Sequence, residues 1–349
     1  MTHERHVFVI AEAGSNWRMG TQDRDMVMAR RLVDVAVQAG ADAVKFQTYR
    51  SGTTYVPDAG SIYLDGVGER SINVIFDDLE MPYEFIPRIA EYTATAGIEF
   101  MSTPFSVEDA DAVDPFVRRH KIASYEINHV RLIEHLAQTG KPLILSTGAA
   151  TEEDVAFGLD TVRAAGAIDI TLMQCTARYP APPDSVNVAA IPYLRERFDV
   201  PVGLSDHSRD PIVGPVAAVA LGAVAIEKHY TIDRRLPGPD HPFALEPDEL
   251  TAMIRAIRLA EVVVGEGGKP TQEAEEELRA FAVRAIQAVR DIAPGELLVE
   301  GENVDVLRPG RRIRGLHPRQ LGSLRGRHAS RAIRAGDGIT ADAVDPPIS

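Results

Sequence analysis

The stretch VPVGLSDHSRDPIVGPVAAVALGAVAIEKHYT, residues 200–231, decides the fold. It holds two β-rich runs, VPVGLSDHS (200–208) and AVAIEKHYT (223–231), joined by a helical stretch long enough to carry the chain back for a parallel pairing. The same alternation runs toward the N-terminus. VFVIAEAG (7–14), AVKFQTY (43–49), IEFMSTPF (98–105), HKIASYE (120–126), PLILSTG (142–148) and DITLMQCT (169–176) bring the strand candidates to eight. Between the first two, Met26, Ala29, Val33, Ala36 and Val37 follow helical spacing before Gly40 stops the helix. Eight strand–helix units over roughly 260 residues predict a (β/α)8 TIM barrel, with a doubly wound sheet as the alternative. The polar residues favour the barrel. Glu12, Lys45, Gln47, Thr103, Glu126, Ser146, Thr176, His207 and His229 all fall at or near strand C-terminal ends, the face where barrel active sites gather.

Composition sets outer limits. The chain has 349 residues and 45% hydrophobic content, enough for one large domain and a small one. A formal net charge of -14 argues against nonspecific nucleic-acid binding, which relies on clustered Lys and Arg. An anionic substrate would need a locally basic pocket. The apolar run near the N-terminus is too short for a signal peptide or membrane span, so a cytoplasmic location is expected. The single cysteine, Cys175, excludes an intrachain disulfide and reads as a buried structural thiol.

After PDELTAMIRAIRLAEVVVGEG the composition turns charged and weakly apolar, which predicts a barrel over 1–265 and a linker over 266–283. A second domain, 284–349, follows. In it RDIAPGELLVEGENV (290–304) resembles RAIRAGDGITADAV (331–344), a duplicated turn unit suggesting a small β-clip-like accessory module.

Three groups of residues carry chemistry. His207 and His229 end adjacent predicted strands, and neutral imidazoles are common transition-metal ligands. Each is preceded within two residues by an acid, Asp206 or Glu227. Lys45 and Lys121, with Thr103, Ser124 and Ser146, could cradle a phosphate or carboxylate, though lysines snorkelling on the rim would read alike. Strict alternation puts Lys121 opposite Ser124 and Glu126, so the fourth strand must bend for all three to share a site. Glu12 lies in an apolar strand, where a carboxylate needs an ion partner or a function. Neither GxGxxG nor a Walker A loop occurs, so no nucleotide cofactor is indicated.

The ordered strings AEAGSNW, GADAVKFQTY, FMSTPFS, HKIASYE, KPLILSTGAAT, QCTARYPAPP, GLSDHS, IEKHYTID and PGPDH resemble the sialic acid synthase (N-acetylneuraminate synthase) family. KIASYEIN, YPAPPDSVN and PGPDHPFALEPDEL are similar to its branch of spore coat polysaccharide and pseudaminic acid synthases. VRDIAPGELL and VLRPG resemble that family's C-terminal antifreeze-like (SAF) domain, so the likeness covers nearly the whole chain. It implies condensation of phosphoenolpyruvate with an amino-sugar aldehyde. It implies a divalent cation, manganese or magnesium, on His207 and His229, with Glu12 and Asp240 beside it; Glu12, close to metal and water, is then the candidate proton-transfer group. Lys45, Thr103, Lys121, Ser124 and Ser146 match positions that hold phosphoenolpyruvate. Gln47, Glu126 and Tyr179 match positions that face the sugar. Arg308 matches an arginine that enters the other barrel of a homodimer, with Phe281 a looser companion.

Departures cluster where the resemblance places the sugar. Asn16-Trp17 replaces a common Asn-His, Arg18 follows it, Gln174 replaces a frequent His, and Ala177 replaces a frequent Asn or Ser. Trp17 is therefore expected to wall the sugar pocket and shift specificity from N-acetylmannosamine toward a 6-deoxy or diacetamido aldose. Two rivals remain at this stage: a metal-independent barrel aldolase with Lys45 or Lys121 as Schiff base, and a noncatalytic sugar-binding or ice-binding protein.

Overall fold

The computed structural model describes residues 6–64 and 68–347. Residues 1–5, at the start of the expected barrel domain, and 348–349, at the end of the accessory one, lie outside the described residues. The chain divides into two compact units, Met1–Gly265 and Glu266–Ser349.

In the first unit eight parallel strands form one near-closed barrel sheet: β1 (Phe8–Gly14), β2 (Ala43–Thr48), β3 (Glu99–Pro104), β4 (His120–Ile122), β5 (Leu143–Ser146), β6 (Ile170–Cys175), β7 (Val202–Asp206) and β8 (Ala225–His229). The order around the sheet is β3-β2-β1-β8-β7-β6-β5-β4, so the first and last strands are neighbours. That pairing decides for the barrel over the doubly wound sheet.

Side-chain alternation sorts each strand into a helix-facing and an inward set. The outward residues join the helices in the main apolar core, which includes Val9, Ala11, Val44, Phe46, Ile122, Leu145 and Leu204. Inward, Ile10, Ala43, Met101, Ile144, Met173 and Ala225 fill a separate apolar layer. Gly203 makes that layer possible, because a Cβ there would meet Met173 Sδ and the Ala225 carbonyl at 2.5 Å. The layer seals the barrel below, so the polar residues one step further along the strands sit on an apolar floor.

β4 is shorter than expected. It stops at Ile122, and Ser124–Glu126 forms a 3-10 turn. This is the bend that alternation demanded. Ser124 turns toward the next loop and its Oγ accepts from the Gly148 N–H at 3.0 Å. No helix among the described residues is long and apolar enough to cross a membrane.

The second unit has its own core of Ile286, Ala288, Ile292, Leu298, Val304, Ile333, Ile339 and Val344, among others. Strands β9 (Ala285–Ala288) and β10 (Val304–Leu307) pair antiparallel, as do β11 (His328–Ala329) and β12 (Val344–Asp345). The two similar sequence segments meet at an antiparallel bridge between Ile292 and Ile333. Residues 266–283 belong to this unit and include the helix Glu276–Ala282.

Candidate active site

Strand register assembles the site. Glu12 on β1 is flanked by His229 on β8 and Lys45 on β2, Gln47 pairs with Thr103 on β3, and Glu227 pairs with Ser205 on β7. The side chains meet as the register implies. Lys45 Nζ lies 2.6 Å from Glu12 Oε2 and donates to Thr103 Oγ1 at 2.9 Å. Gln47 Nε2 donates to Glu12 Oε1 at 3.1 Å. Across the floor, Lys121 Nζ donates to Ser146 Oγ at 2.6 Å.

Glu227 joins the two halves, with its carboxylate 3.8 Å from Lys45 Nζ and 3.8 Å from Lys121 Nζ while Ser205 Oγ donates to it at 3.2 Å. Sequence reasoning noted this acid only as a neighbour of His229. The missed signal was period-two spacing, which places residues 227 and 229 on one inward face.

Burial acts on every charge here. It raises the Glu12 carboxyl, with Lys45 pulling back. Burial works to lower Lys45, but Glu12, Glu227 and Asp240 outweigh it and the ammonium is held protonated. Lys121 lacks a carboxylate as close, and burial lowers it. For Glu227 burial works upward, yet the paired attraction of Lys121 and Lys45 holds it below the usual carboxylate range.

The histidines stand above this floor with ring centroids 5.5 Å apart. His207 Nδ1 hydrogen-bonds the Thr176 carbonyl at 2.8 Å, an arrangement that fixes its tautomer and leaves Nε2 free. Burial opposes protonation of His207, but Cys175 and the Thr176 carbonyl outweigh it and raise the ring's basicity. Cys175 is buried, as a structural thiol would be, but its Sγ lies 3.8 Å from His207 Nδ1 at the edge of the site. His229 Nδ1 is buried without a hydrogen-bond partner, 4.0 Å from Asp240 Oδ2. Asp240 is seated by the Ser15 N–H and Oγ at 3.0 and 2.9 Å. A side chain on Gly14, which has φ +52, would strike Asp240 Oδ2 at 2.5 Å.

Among the described residues no group of three or more His, Cys, Asp or Glu converges as a closed metal cage. The donors instead suit an open site: a free imidazole nitrogen, an unpartnered second imidazole, and a nearby carboxylate.

At the mouth, Tyr179 stacks on His207 with centroids 4.2 Å apart. Glu126 has a buried carboxylate oxygen with no partner, and burial pushes its pKa up to about 7 despite Lys121.

Three departures do not reach the pocket. Trp17, expected as a wall, is 2% exposed, belongs to the helix-facing core, and meets Phe85 edge-on at 6.0 Å. The loop turns its indole toward the helices, where its large apolar surface is buried against residues such as Phe85. Arg18 is held by Asp25 and Asp78. Gln174 points outward by alternation and donates to the Val186 carbonyl, lining with Ala177 a side cavity of about 560 Å³. Arg308 and Phe281 belong to the second unit, where the Gly310 N–H donates to the Phe281 carbonyl and so ties the LRPG loop to the helix Glu276–Ala282.

An apolar-floored barrel with buried lysines, carboxylates and paired histidines at its C-terminal end has the architecture of a (β/α)8-barrel enzyme. Residues 32–269 match the model of the NeuB family and residues 283–345 that of the SAF domain, and the chain belongs to the NeuB family. It is 41% identical to the spore coat polysaccharide biosynthesis protein SpsE of Bacillus subtilis, over 96% of this chain and 93% of that one. The crystal structure of that protein superposes with TM-score 0.64 over 97% of this chain and 95% of its own. Identity to a pseudaminic acid synthase of Campylobacter jejuni is 36%, over 96% of each chain. A sialic acid synthetase structure from Leptospira borgpetersenii, in complex with citrate, matches 79% of this chain and 90% of its own at 31% identity and TM-score 0.70.

Proposed function

We propose that this protein condenses phosphoenolpyruvate with an (N-acyl)amino-sugar aldehyde, releasing phosphate and a nonulosonic 2-keto-3-deoxy acid. The observation that carries the reading is the pair of buried lysines around Glu227, hydroxyl-lined by Thr103 and Ser146, beneath two open histidines. Relatives named as sialic, pseudaminic and legionaminic acid synthases support it.

His207 and His229 would hold a divalent cation, manganese or magnesium. When bound, it supplies Lewis-acid polarisation of the aldehyde oxygen. Lys45 and Lys121 bind the phosphate and carboxylate of phosphoenolpyruvate, with Thr103, Ser124 and Ser146 completing the cradle. Gln47, Glu126 and Tyr179 face the sugar. C3 of phosphoenolpyruvate bonds to the aldehyde carbon, whose oxygen takes up a proton. Water adds to the cationic C2, giving its proton to Glu12 or Glu227, and collapse expels phosphate by C–O cleavage. In a homodimer, Arg308 completes the partner's sugar site. The chemistry suits a cytoplasmic protein.

The test is a phosphate-release screen with phosphoenolpyruvate constant and aldoses varied, including N-acetylmannosamine and diacetamido-dideoxy sugars. Expected is turnover with at least one sugar, abolished by chelator and restored by manganese or magnesium. Chelator-resistant turnover with borohydride trapping of a lysine would favour the Schiff-base aldolase; the protonated, ion-paired state of Lys45 disfavours that residue for the role and leaves Lys121, lowered by burial, as the one to be trapped. No turnover with any aldose would favour a binding protein.

A further inference from the structure

One fully buried charge plays no part in the pocket. Lys228 lies on β8 between Glu227 and His229, so alternation turns it away from the barrel interior. Its Nζ is 2.5 Å from Asp206 Oδ2, and it also donates to the Ser208 carbonyl at 2.7 Å and to Ser208 Oγ at 3.2 Å. Asp206 in turn accepts from the Ser208 N–H at 2.8 Å and from Ser208 Oγ at 3.0 Å. These bonds close a tight loop around the one residue between Asp206 and Ser208, which is His207.

The partners of this ion pair are 2% and 0% exposed, so both charges forgo water. A buried ion pair is weak ground for stability, because apolar residues of similar volume often serve as well. Its geometry has a different consequence. A single side chain of β8, the strand that carries His229, grips the turn that presents His207. Other restraints on His207 come from β6 and the loop after it: its carbonyl accepts from the Ala181 N–H at 2.9 Å, and its Nδ1 meets the Thr176 carbonyl and lies 3.8 Å from Cys175 Sγ. Beyond the backbone pairing of β7 with β8 and the Ser205–Glu227 bond, it is the Lys228 side chain that ties the turn holding His207 to the strand of the second imidazole.

We propose that Lys228, through Asp206 and Ser208, is a positioning residue that sets His207 against His229 for the shared cation, an inference that rests on the metal reading above. Partners behind metal ligands typically account for roughly 10–100-fold in metal affinity.

The test uses the full-length protein and manganese. Lys228→Met alone leaves Asp206 buried and unpaired and risks unfolding, so the decisive variant is Lys228→Met with Asp206→Asn, which keeps an acceptor for the Ser208 N–H. Expected is a folded chain with wild-type circular dichroism, a manganese Kd raised at least about ten-fold, and a broadened electron paramagnetic resonance spectrum of the bound ion. In the metal-free protein, the imidazole ¹⁵N–¹H signal of the His207 Nδ1–H bonded to Thr176 should shift or vanish. Lys228→Arg should restore part of the affinity. Wild-type manganese affinity and an unmoved His207 signal in the folded double variant would overturn the positioning role. Should the wild-type chain bind no manganese, the metal reading fails and the inference falls with it. Manganese binding that His207→Ala abolishes but the double variant preserves would sink the inference alone.

Discussion

The ammonium of Lys45 lies 2.6 Å from the carboxylate of Glu12, and both side chains are buried on the barrel floor. The pair needs both members. Lys45→Met leaves Glu12 with only the Gln47 amide, and breaking a buried pair in this way costs about 3–5 kcal/mol. Lys121→Met removes a charge whose nearest carboxylate is 3.8 Å away and should destabilise less. Denaturant unfolding compares the two, and equal losses would mean that the Glu12 pairing adds nothing. In activity, both variants should raise KM for phosphoenolpyruvate far more than KM for the sugar, since only the former is polyanionic.

Glu227, 3.8 Å from each lysine, offsets part of their charge before substrate arrives, so Glu227→Gln leaves the cradle more positive. Phosphoenolpyruvate should bind at least as tightly, while kcat falls by roughly 10²–10⁴ if the carboxylate accepts the proton of the attacking water. Separate KM and kcat measurements decide. A raised KM with unchanged kcat would make Glu227 a mere organiser of the lysines.

Much of this site is legible in the sequence. Period-two alternation placed Lys45 with Gln47, and the apolar strand around Glu12 demanded a partner, which proved to be Lys45. Glu227 and Lys228 were harder to read. They are adjacent charged residues in IEKHYT, and period-two spacing separates them only when it is counted from His229, which puts Glu227 on the pocket face and Lys228 on the helix face. Trp17 misled for a related reason. A residue's place in a loop at the mouth does not say which way its side chain turns, and burial of a large apolar surface favoured the helix side.

Trp17 therefore yields a prediction about stability. Trp17→Ala removes a buried indole packed on Phe85 and should cost about 3–5 kcal/mol. Trp17→His should also destabilise, but the ratio of kcat/KM values between N-acetylmannosamine and other aldoses should stay as in the wild type. A shift toward N-acetylmannosamine, with stability intact, would return Trp17 to the pocket wall.

The proposed homodimer with a shared site can be tested by complementation. Arg308→Ala and His207→Ala chains, each inactive alone, should regain part of the activity when mixed, because one site of the hybrid is whole. A monomer by light scattering at working concentration would refute the shared site. So would absent rescue despite proven subunit exchange.

Glu126 gives the protein a pH-dependent cost. Its buried carboxylate oxygen has no partner, and burial raises its pKa from 4.5 to about 7. The folded state thus holds the proton more tightly than the unfolded one. Below about pH 4.5 the group is neutral in both states and costs nothing. As pH rises from there to about 7 the unfolded chain ionises first, and stability falls. At about 1.4 kcal/mol per unit, the loss above pH 7 is on the order of 3 kcal/mol. Glu126→Gln keeps the shape and removes the titration. In the ligand-free protein its Tm should exceed that of the wild type at pH 8, and the difference should shrink toward zero near pH 5. The same variant should bind the sugar more weakly, because an unpaired carboxylate held at the mouth is free to accept from sugar hydroxyl or amide groups. A Tm at pH 8 below that of the wild type would mean that the carboxylate already has a partner in the folded protein, and the pocket would lose its free acceptor.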